Sequence, residues 1–335
     1  MSRQILYLSP EEVAQSEAME MKRVIESLEE VFRLHHKGEC VVPSKLVLPV
    51  ADDENRGRLN AIAMPGYLGG EAPAAGIKWL GNASLNPKHQ LPRSTSMLVL
   101  NDPHTMLPIA ILDGTQINAY RTGAATGVAA KYLARKDARK AGLIGAGVQN
   151  RTQLLALKTV CPTLETVVVY DIDPARARQF AAEMSTELQM DVVTAVDVKE
   201  AVAGQHIVVT ATTARAPIVD REWLDEGSFY AHIGGYEAHR NVIHGADKIV
   251  VDDWEKVRDR KSSTLSLMYH DGEMDERVIS SSLGEIVTGS KLGRETMQEF
   301  IYFNATGLAV HDIMIGQKIY EEAKLKGRGT VLPFG

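Results

Sequence analysis

From Ala141 onward the sequence alternates short apolar runs with helical ones, and this alternation constrains the fold more than any single residue. The strand-like runs are "AGLIGAG", "TVVVYD", "DVVTAV", "HIVVTAT", "SFYAHIG", "KIVVDD" and "IYFNATG", with "NRTQLLALKTV", "PARARQFAAEMSTEL" and "VKEAVAG" between several of them. They are apolar and β-branched without a polar alternate face, as strands buried on both sides must be. The series predicts a parallel sheet covered by helices on both faces.

The residues before it have another texture. "ILYLSPEEV" reads as a short strand followed by a helix with Ser9 as N-cap, Pro10 in its first turn and acids after it. That helix is expected to continue through Met21, Val24, Ile25, Leu28, Val31, Phe32 and Leu34, whose spacing buries one face. "VVPSKLVLPV" and "LNAIAMPGYL" flank the polar run "ADDENRGR" as a hairpin, and "AAGIKWLGNA" and "TSMLVLNDPHTMLPIAILDG" supply further strands. A helix rich in small residues, "INAYRTGAATGVAAKYLARKDAR", leads into the alternating region. The closing helix, "LAVHDIMIGQKIYEEAKLKGRG", lies outside the alternation and is expected to cross back onto the first domain.

Composition removes several classes of function. The 335 residues are 44% hydrophobic and 24% charged, enough for two cores, and the net charge of −6 gives no global attraction to nucleic acid or anionic lipid. No apolar run reaches the length of a membrane span, and the N-terminus turns acidic before any long apolar core, unlike a secretory signal. Cys40 and Cys161 offer no disulfide framework, which points to a reducing cytoplasm, and acids and histidines do not cluster at metal-ligand spacing, so no metal is expected.

The first strand–helix junction, "AGLIGAGVQN", carries the chemistry of the second domain. Gly145 permits the tight turn, Gly147 lets backbone approach a pyrophosphate, and Val148 and Gln149 open the helix whose N-terminus receives it. Asn150 stands where the fingerprint normally has a third small residue, a departure that the helix–strand distance must absorb. The next strand ends in Asp171, placed to accept from a ribose 2′-hydroxyl and to repel a 2′-phosphate, which favours NAD over NADP. Two later turns, "TATTA" with Thr210 and Thr212 and "HIGGYEA" with Tyr236 and Glu237, follow strands at the edge where ligands gather.

Four basic residues in the first domain invite a role. Lys78 lies between Ile77 and Trp79, Lys45 lies in "PSKLVLP", and Arg121 sits on a helix otherwise made of small residues. Most lysines and arginines are solvated surface groups, and Arg93 fits that description. Lys78 and Arg121 do not, because their neighbours are apolar or small. A guanidinium there could grip a carboxylate bidentately, and a partly desolvated lysine could exchange protons near neutrality. Together they suggest an amino-acid carboxylate held beside a nicotinamide ring. Among the histidines only His232 and His239, flanking "GGYE", are candidates; His35, His36, His206 and His244 read as surface or structural, and His89, His104 and His270 as loop residues.

With these residues placed, the chain resembles the ornithine cyclodeaminase/μ-crystallin family along its whole length. The likeness rests on "GIKWLGN", "LNDPHTMLPIAILDG", "YRTGAATGVAAKYLAR", "LIGAGVQ", "VVDD", "LGEIVTG" and "FNATGLAVHD", in that order. It is nearest to the branch that makes the siderophore precursor diaminopropionate by NAD-dependent oxidation of N-(2-amino-2-carboxyethyl)-L-glutamate, with 2-oxoglutarate as co-product. The resemblance implies a Rossmann-type NAD-binding domain, residues 121–312, inserted into a discontinuous α+β domain for substrate binding and dimerisation, residues 1–120 and 313–335. It implies a homodimer acting on a small amino acid. By motif, Lys78 matches the catalytic lysine and Arg121 the carboxylate-binding arginine, while Lys45 stands where the family usually has a substrate-binding arginine. Asp312 of "LAVHD" joins the cofactor-binding set. True cyclodeaminases carry an aspartate in the glycine-rich turn after the fifth strand, where this sequence has Tyr236 followed by Glu237. The alternatives are ornithine cyclodeamination with bound NAD and a non-catalytic, crystallin-like dinucleotide-dependent binder.

Overall fold

The computed structural model describes residues 3–335. The chain divides into two compact units, Met1–Arg121 with Leu308–Gly335, and Thr122–Gly307.

In the first unit, β1 (Gln4–Leu8) leads into α1 (Pro10–Ala14), where Ser9 and Glu12 form a reciprocal capping box. The helix does not run on as its periodicity suggests. It stops after Ala14, a single 3₁₀ turn occupies Glu17–Met19, and α2 (Met21–His36) starts afresh. The break belongs to Ser16, whose hydroxyl accepts from Ala18 N and donates to Glu322. A local serine cap with a distant acid outcompetes helix propagation there. The strands β2 (Cys40–Val41), β3 (Leu46–Asp53), β4 (Gly57–Leu68), β5 (Ala74–Ala83), β6 (Ser94–Asn101) and β7 (Pro108–Asp113) follow. The expected hairpin is β3–β4, turning through Asp53–Gly57. The long helix α3 (Thr115–Leu133) begins in this unit.

The second unit contains β8 (Lys140–Ile144), α4 (Val148–Val160), β9 (Thr166–Tyr170), α5 (Pro174–Leu188), β10 (Asp191–Thr194), α6 (Val198–Val202), β11 (Ile207–Thr210) and β12 (Phe229–His232). These are followed by α7 (Arg240–His244), β13 (Lys248–Val251), α8 (Trp254–Asp259), α9 (Thr264–His270), β14 (Ser281–Ser282), α10 (Leu283–Val287) and β15 (Ile301–Asn304). Its sheet is parallel throughout, in the order β10-β9-β8-β11-β12-β15-β13-β14. The strand order reverses between β8 and β11, the switch point at which such Rossmann-type sheets open a crevice. Register aligns the carboxyl ends of the strands in one row, Tyr170–Ile144–Thr210–His232–Asn304–Val251, so the exit loops lie side by side. Strands β11, β12 and β15 are buried at every residue, as their uninterrupted apolar runs require.

The chain then returns to the first unit as α11 (Ala309–Lys326) and β16 (Thr330–Pro333). The first unit's sheet runs β16-β1-β7-β6-β5-β4-β2, with β3 also on β4. Helix α11 packs against β4, β5 and β6 on one side and α2 on the other. The final strand, not expected from sequence, pairs antiparallel with β1, Gln4 opposite Pro333.

Candidate functional site

Two groups of side chains are candidates to carry the chemistry. The first lies on β5, α3 and α11. Alternation along β5 turns Lys78 inward and leaves Trp79 exposed, the reverse of ordinary binary patterning. Lys78 Nζ lies 2.8 Å from Asn118 Oδ1 and 2.9 Å from Asp312 Oδ2. Asn118 and Arg121 are one helical turn apart on α3, and Arg121 Nη2 donates to the same amide oxygen at 2.6 Å. Arg121 Nε lies 3.3 Å from the Asp312 carboxylate. Lys78, Arg121 and Asp312 are all buried. Two cations therefore share one carboxylate and one neutral amide, and the cluster has a net positive charge. Burial, helped by the neighbouring Arg121, brings the Lys78 ammonium down to about 8, against the pull of Asp312. Burial pushes the Asp312 carboxyl up, but Arg121 and Lys78 outweigh it and hold the group below its ordinary range.

Asp312, expected on the cofactor side, thus has its carboxylate engaged by the two cations. Asn118 was missed because it has no charge; its spacing of three from Arg121 was the available signal. Lys45 stands half-buried just before β3, and Arg93 is exposed.

The second group surrounds the turn after β8. Gly145 has φ +99°, and a Cβ there would lie 3.0 Å from Ala211 O and 3.2 Å from the Thr212 methyl. Only glycine fits both constraints. A Cβ on Gly147 would meet nothing within 4 Å, so the N-terminus of α4 opens onto free space. Asp171 accepts from Ala146 N at 2.7 Å, which ties the end of β9 to the glycine turn. Asn150 is buried and its Nδ2 donates to the carbonyls of Ile144 and Gly145. The departure from a small third residue is therefore a substitution of function: the amide fills the gap and satisfies the turn's carbonyls. Gln149 Oε1 is shielded from water without a hydrogen-bond partner, beside an exposed Val148. Free space, an orphaned acceptor and a strand-terminal acid fit a dinucleotide. Ile172 and Val196, 90% and 85% exposed after β9 and β10, are apolar groups at the same edge that the sequence reading passed over.

Two residues expected at the ligand face inward. The Thr210 hydroxyl is buried 2.9 Å from Tyr230 OH, because the last residue of a fully buried strand has no open side. Glu237 is also fully buried: its carboxyl accepts from Thr212 N and lies 3.4 Å from His232 Nε2. Burial pushes the Glu237 carboxyl up, against the Thr212 hydrogen bonds and Arg260. His232, a candidate from its place beside the turn, is a core residue whose Nδ1 lies 2.6 Å from Tyr302 OH. Burial lowers its imidazole to about 3, so it is neutral. Thr212 stays half-exposed, Tyr236 is half-buried with its hydroxyl on Arg240, and His239 is exposed at the start of α7.

The model of the ornithine cyclodeaminase/mu-crystallin family matches residues 7–327. The chain is 32% identical to the N-((2S)-2-amino-2-carboxyethyl)-L-glutamate dehydrogenase of Staphylococcus aureus, over 99% of each chain. Among solved structures it is similar to Thermococcus litoralis Delta(1)-pyrroline-2-carboxylate reductase in complex with NADH and L-proline, with 38% identity, a TM-score of 0.90 and coverage of 97% and 99% of the two chains. It is similar also to an archaeal alanine dehydrogenase dimer with bound NAD, at 33% identity, a TM-score of 0.89 and coverage of 99% and 100%. On this match, the Rossmann-type sheet and the motifs that run the length of the sequence, the chain belongs to the ornithine cyclodeaminase/mu-crystallin family.

Proposed function

We propose that the protein is an NAD-dependent dehydrogenase acting at the α-carbon of an amino acid or N-substituted amino acid. The substrate that the resemblance favours is N-(2-amino-2-carboxyethyl)-L-glutamate, which oxidation and hydrolysis would convert to diaminopropionate and 2-oxoglutarate, a step toward a siderophore. The observation that carries the reading is the buried pair of cations, Lys78 and Arg121, with a single carboxylate between them. The excess charge calls for an anion, and the planar guanidinium of Arg121 suits a substrate carboxylate.

Gly145, Gly147, Val148, Gln149, Asp171 and Thr212 would hold the dinucleotide. NAD, when bound, supplies the acceptor for the hydride leaving the α-carbon. Arg121 fixes the carboxylate and hence the orientation of the α-carbon. Lys78, lowered to about 8, takes a proton from the substrate amine as the C–N bond gains double-bond character, and returns it during hydrolysis. Asn118 and Asp312 keep the ammonium and guanidinium in place by accepting from both. In the test, Lys78→Ala loses turnover, followed at 340 nm, while NAD affinity stays; full turnover in that variant removes Lys78 from the mechanism.

Ornithine cyclodeamination is disfavoured by the turn after β12. Its only acid, Glu237, is buried, which leaves no carboxylate there to engage a side-chain amine. A substrate panel with N-(2-amino-2-carboxyethyl)-L-glutamate, ornithine, alanine, arginine and lysine separates net NADH formation from cyclisation, which forms none. A non-catalytic binder predicts ligand binding with no turnover on any of them.

The protein acts as a homodimer in the reducing cytoplasm. The sheet face opposite α11 supports the dimer: Leu46, Trp79 and Met97 are exposed and share one register row through Ala63. Tyr67 and Val41 extend the apolar surface on the β2–β4 pair. An uncovered apolar patch of this kind is the mark of an interface.

A further inference from the structure

We propose that Glu237 is a positioning residue for dinucleotide binding, acting through Thr212 on the glycine turn. The inference rests on the functional reading above. Glu237 belongs to the exit of β12, yet its carboxyl reaches the exit of β11 and accepts from Thr212 N at 2.5 Å. The Thr212 methyl in turn lies where a Cβ on Gly145 would meet it at 3.2 Å. Carboxyl, backbone and methyl thus run in one line from the β12 exit to the space that a side chain on Gly145 would need.

Gly234 makes the arrangement possible. A Cβ there would fall 2.3 Å from the Glu237 carboxyl carbon, so the acid occupies the volume of the missing side chain. The second carboxyl oxygen has His232 Nε2 at 3.4 Å and no hydrogen-bond donor of its own. His232 is held from behind by Tyr302 at 2.6 Å, and Asn304 Nδ2 donates to the His232 carbonyl at 2.8 Å. Arg260, half-buried, is attracted to both Glu237 and Asp252. Asp252 accepts from Thr306 N and Gly307 N at 2.8 and 2.6 Å. The exits of β11, β12, β13 and β15 are thereby joined by one polar network, and Glu237 is the member that accepts from Thr212 N in the loop beside Gly145. An acid sealed in this way is retained for geometry, since burial alone disfavours it.

The experiment compares Glu237→Ala, Glu237→Gln, Gly234→Ala and the double variant Gly234→Ala/Glu237→Ala in the full chain. NAD dissociation constants come from calorimetry, kcat and KM from the 340 nm assay, and melting temperatures establish folding. Glu237→Ala should weaken NAD binding about tenfold, the scale of one lost charge-assisted hydrogen bond, and raise the KM for NAD in parallel with little change in kcat. Glu237→Gln keeps an acceptor for Thr212 N and should restore affinity to within about twofold. Gly234→Ala should mimic Glu237→Ala, and the double variant should add nothing further, because the two changes break the same contact. Unchanged NAD affinity in Glu237→Ala, no restoration by Gln, or additive losses overturn the proposal. If Glu237→Ala does not fold, the Gln and Gly234→Ala variants decide. A wild-type protein that binds no NAD overturns the functional reading itself, an outcome visible before any variant is made.

Discussion

Asp312 Oδ2 lies 2.9 Å from Lys78 Nζ with both side chains 1% exposed, although 234 residues separate them in the chain. A buried ion pair contributes little net stability when intact, yet it costs about 3–5 kcal/mol when one partner is removed and the other stays charged. Asp312→Asn leaves Lys78 and Arg121 facing each other with no anion. A loss of that size is expected in chemical denaturation, with part of it recovered in Asp312→Asn/Lys78→Met. An unchanged midpoint in Asp312→Asn refutes the pairing as a structural element.

In the proposed mechanism the proton on Lys78 gives the reaction a directional pH dependence. Burial, with Arg121 nearby, lowers the group to about 8, so it is an ammonium below that value and a free amine above it. Oxidation needs the amine as proton acceptor, so kcat/KM for the amino acid should rise with pH through about 8. Reduction needs the ammonium as donor and should fall through the same value. Rate profiles in both directions check this, and limbs of the same sign would exclude Lys78 as the proton carrier.

Two neutral histidines make the fold sensitive to acid. His232 is lowered to about 3 and His311 well below its ordinary value, both chiefly by burial. Neither His311 nitrogen has a hydrogen-bond partner, and its ring packs edge-on against Phe32 at 4.9 Å. In the unfolded chain both imidazoles take up protons below about pH 6.5, while in the folded chain they do not. Stability is therefore complete above that pH and falls below it, by about 1.4 kcal/mol per pH unit for each histidine. His311→Leu should melt less steeply with falling pH than the wild type. Parallel melting curves for the two proteins would remove His311 from the account.

The exposed row on the first unit's sheet gives the proposed dimer a direct test. Trp79→Glu places a charge beside Met97 on the outward face, next in sequence to an inward Lys78. Sedimentation should give a dimer for the wild type and a monomer for the variant, with the thermal transition still cooperative. A variant that remains dimeric moves the interface elsewhere.

Much of this was readable before the structure, for physical reasons that differ by residue. The alternating apolar runs dictate a parallel sheet, and "LIGAG" places its glycine turn, because both depend on residues close in sequence. Lys78 and Arg121 stood out because charge among apolar or small neighbours is anomalous. Asn118 did not, since a neutral amide on a helix carries no such signal. The break at Ser16 was hidden because its partner, Glu322, comes from α11. Thr210 and Glu237 were read as ligand-facing from their place at strand exits. Position in sequence gives the edge of the sheet but not the direction of a side chain there, and at Glu237 that direction is decided by space left vacant at Gly234.

The discontinuity of the first unit also has a consequence in time. Lys78 and Arg121 emerge from the ribosome long before Asp312, and at about 5–20 residues per second the delay is on the order of 10–50 s. Throughout that interval β4, β5 and β6 have no α11 to cover them, and two cations have no counter-ion. The nascent front part cannot mature on its own, so maturation of the first unit waits on the arrival of α11 rather than on any early hairpin.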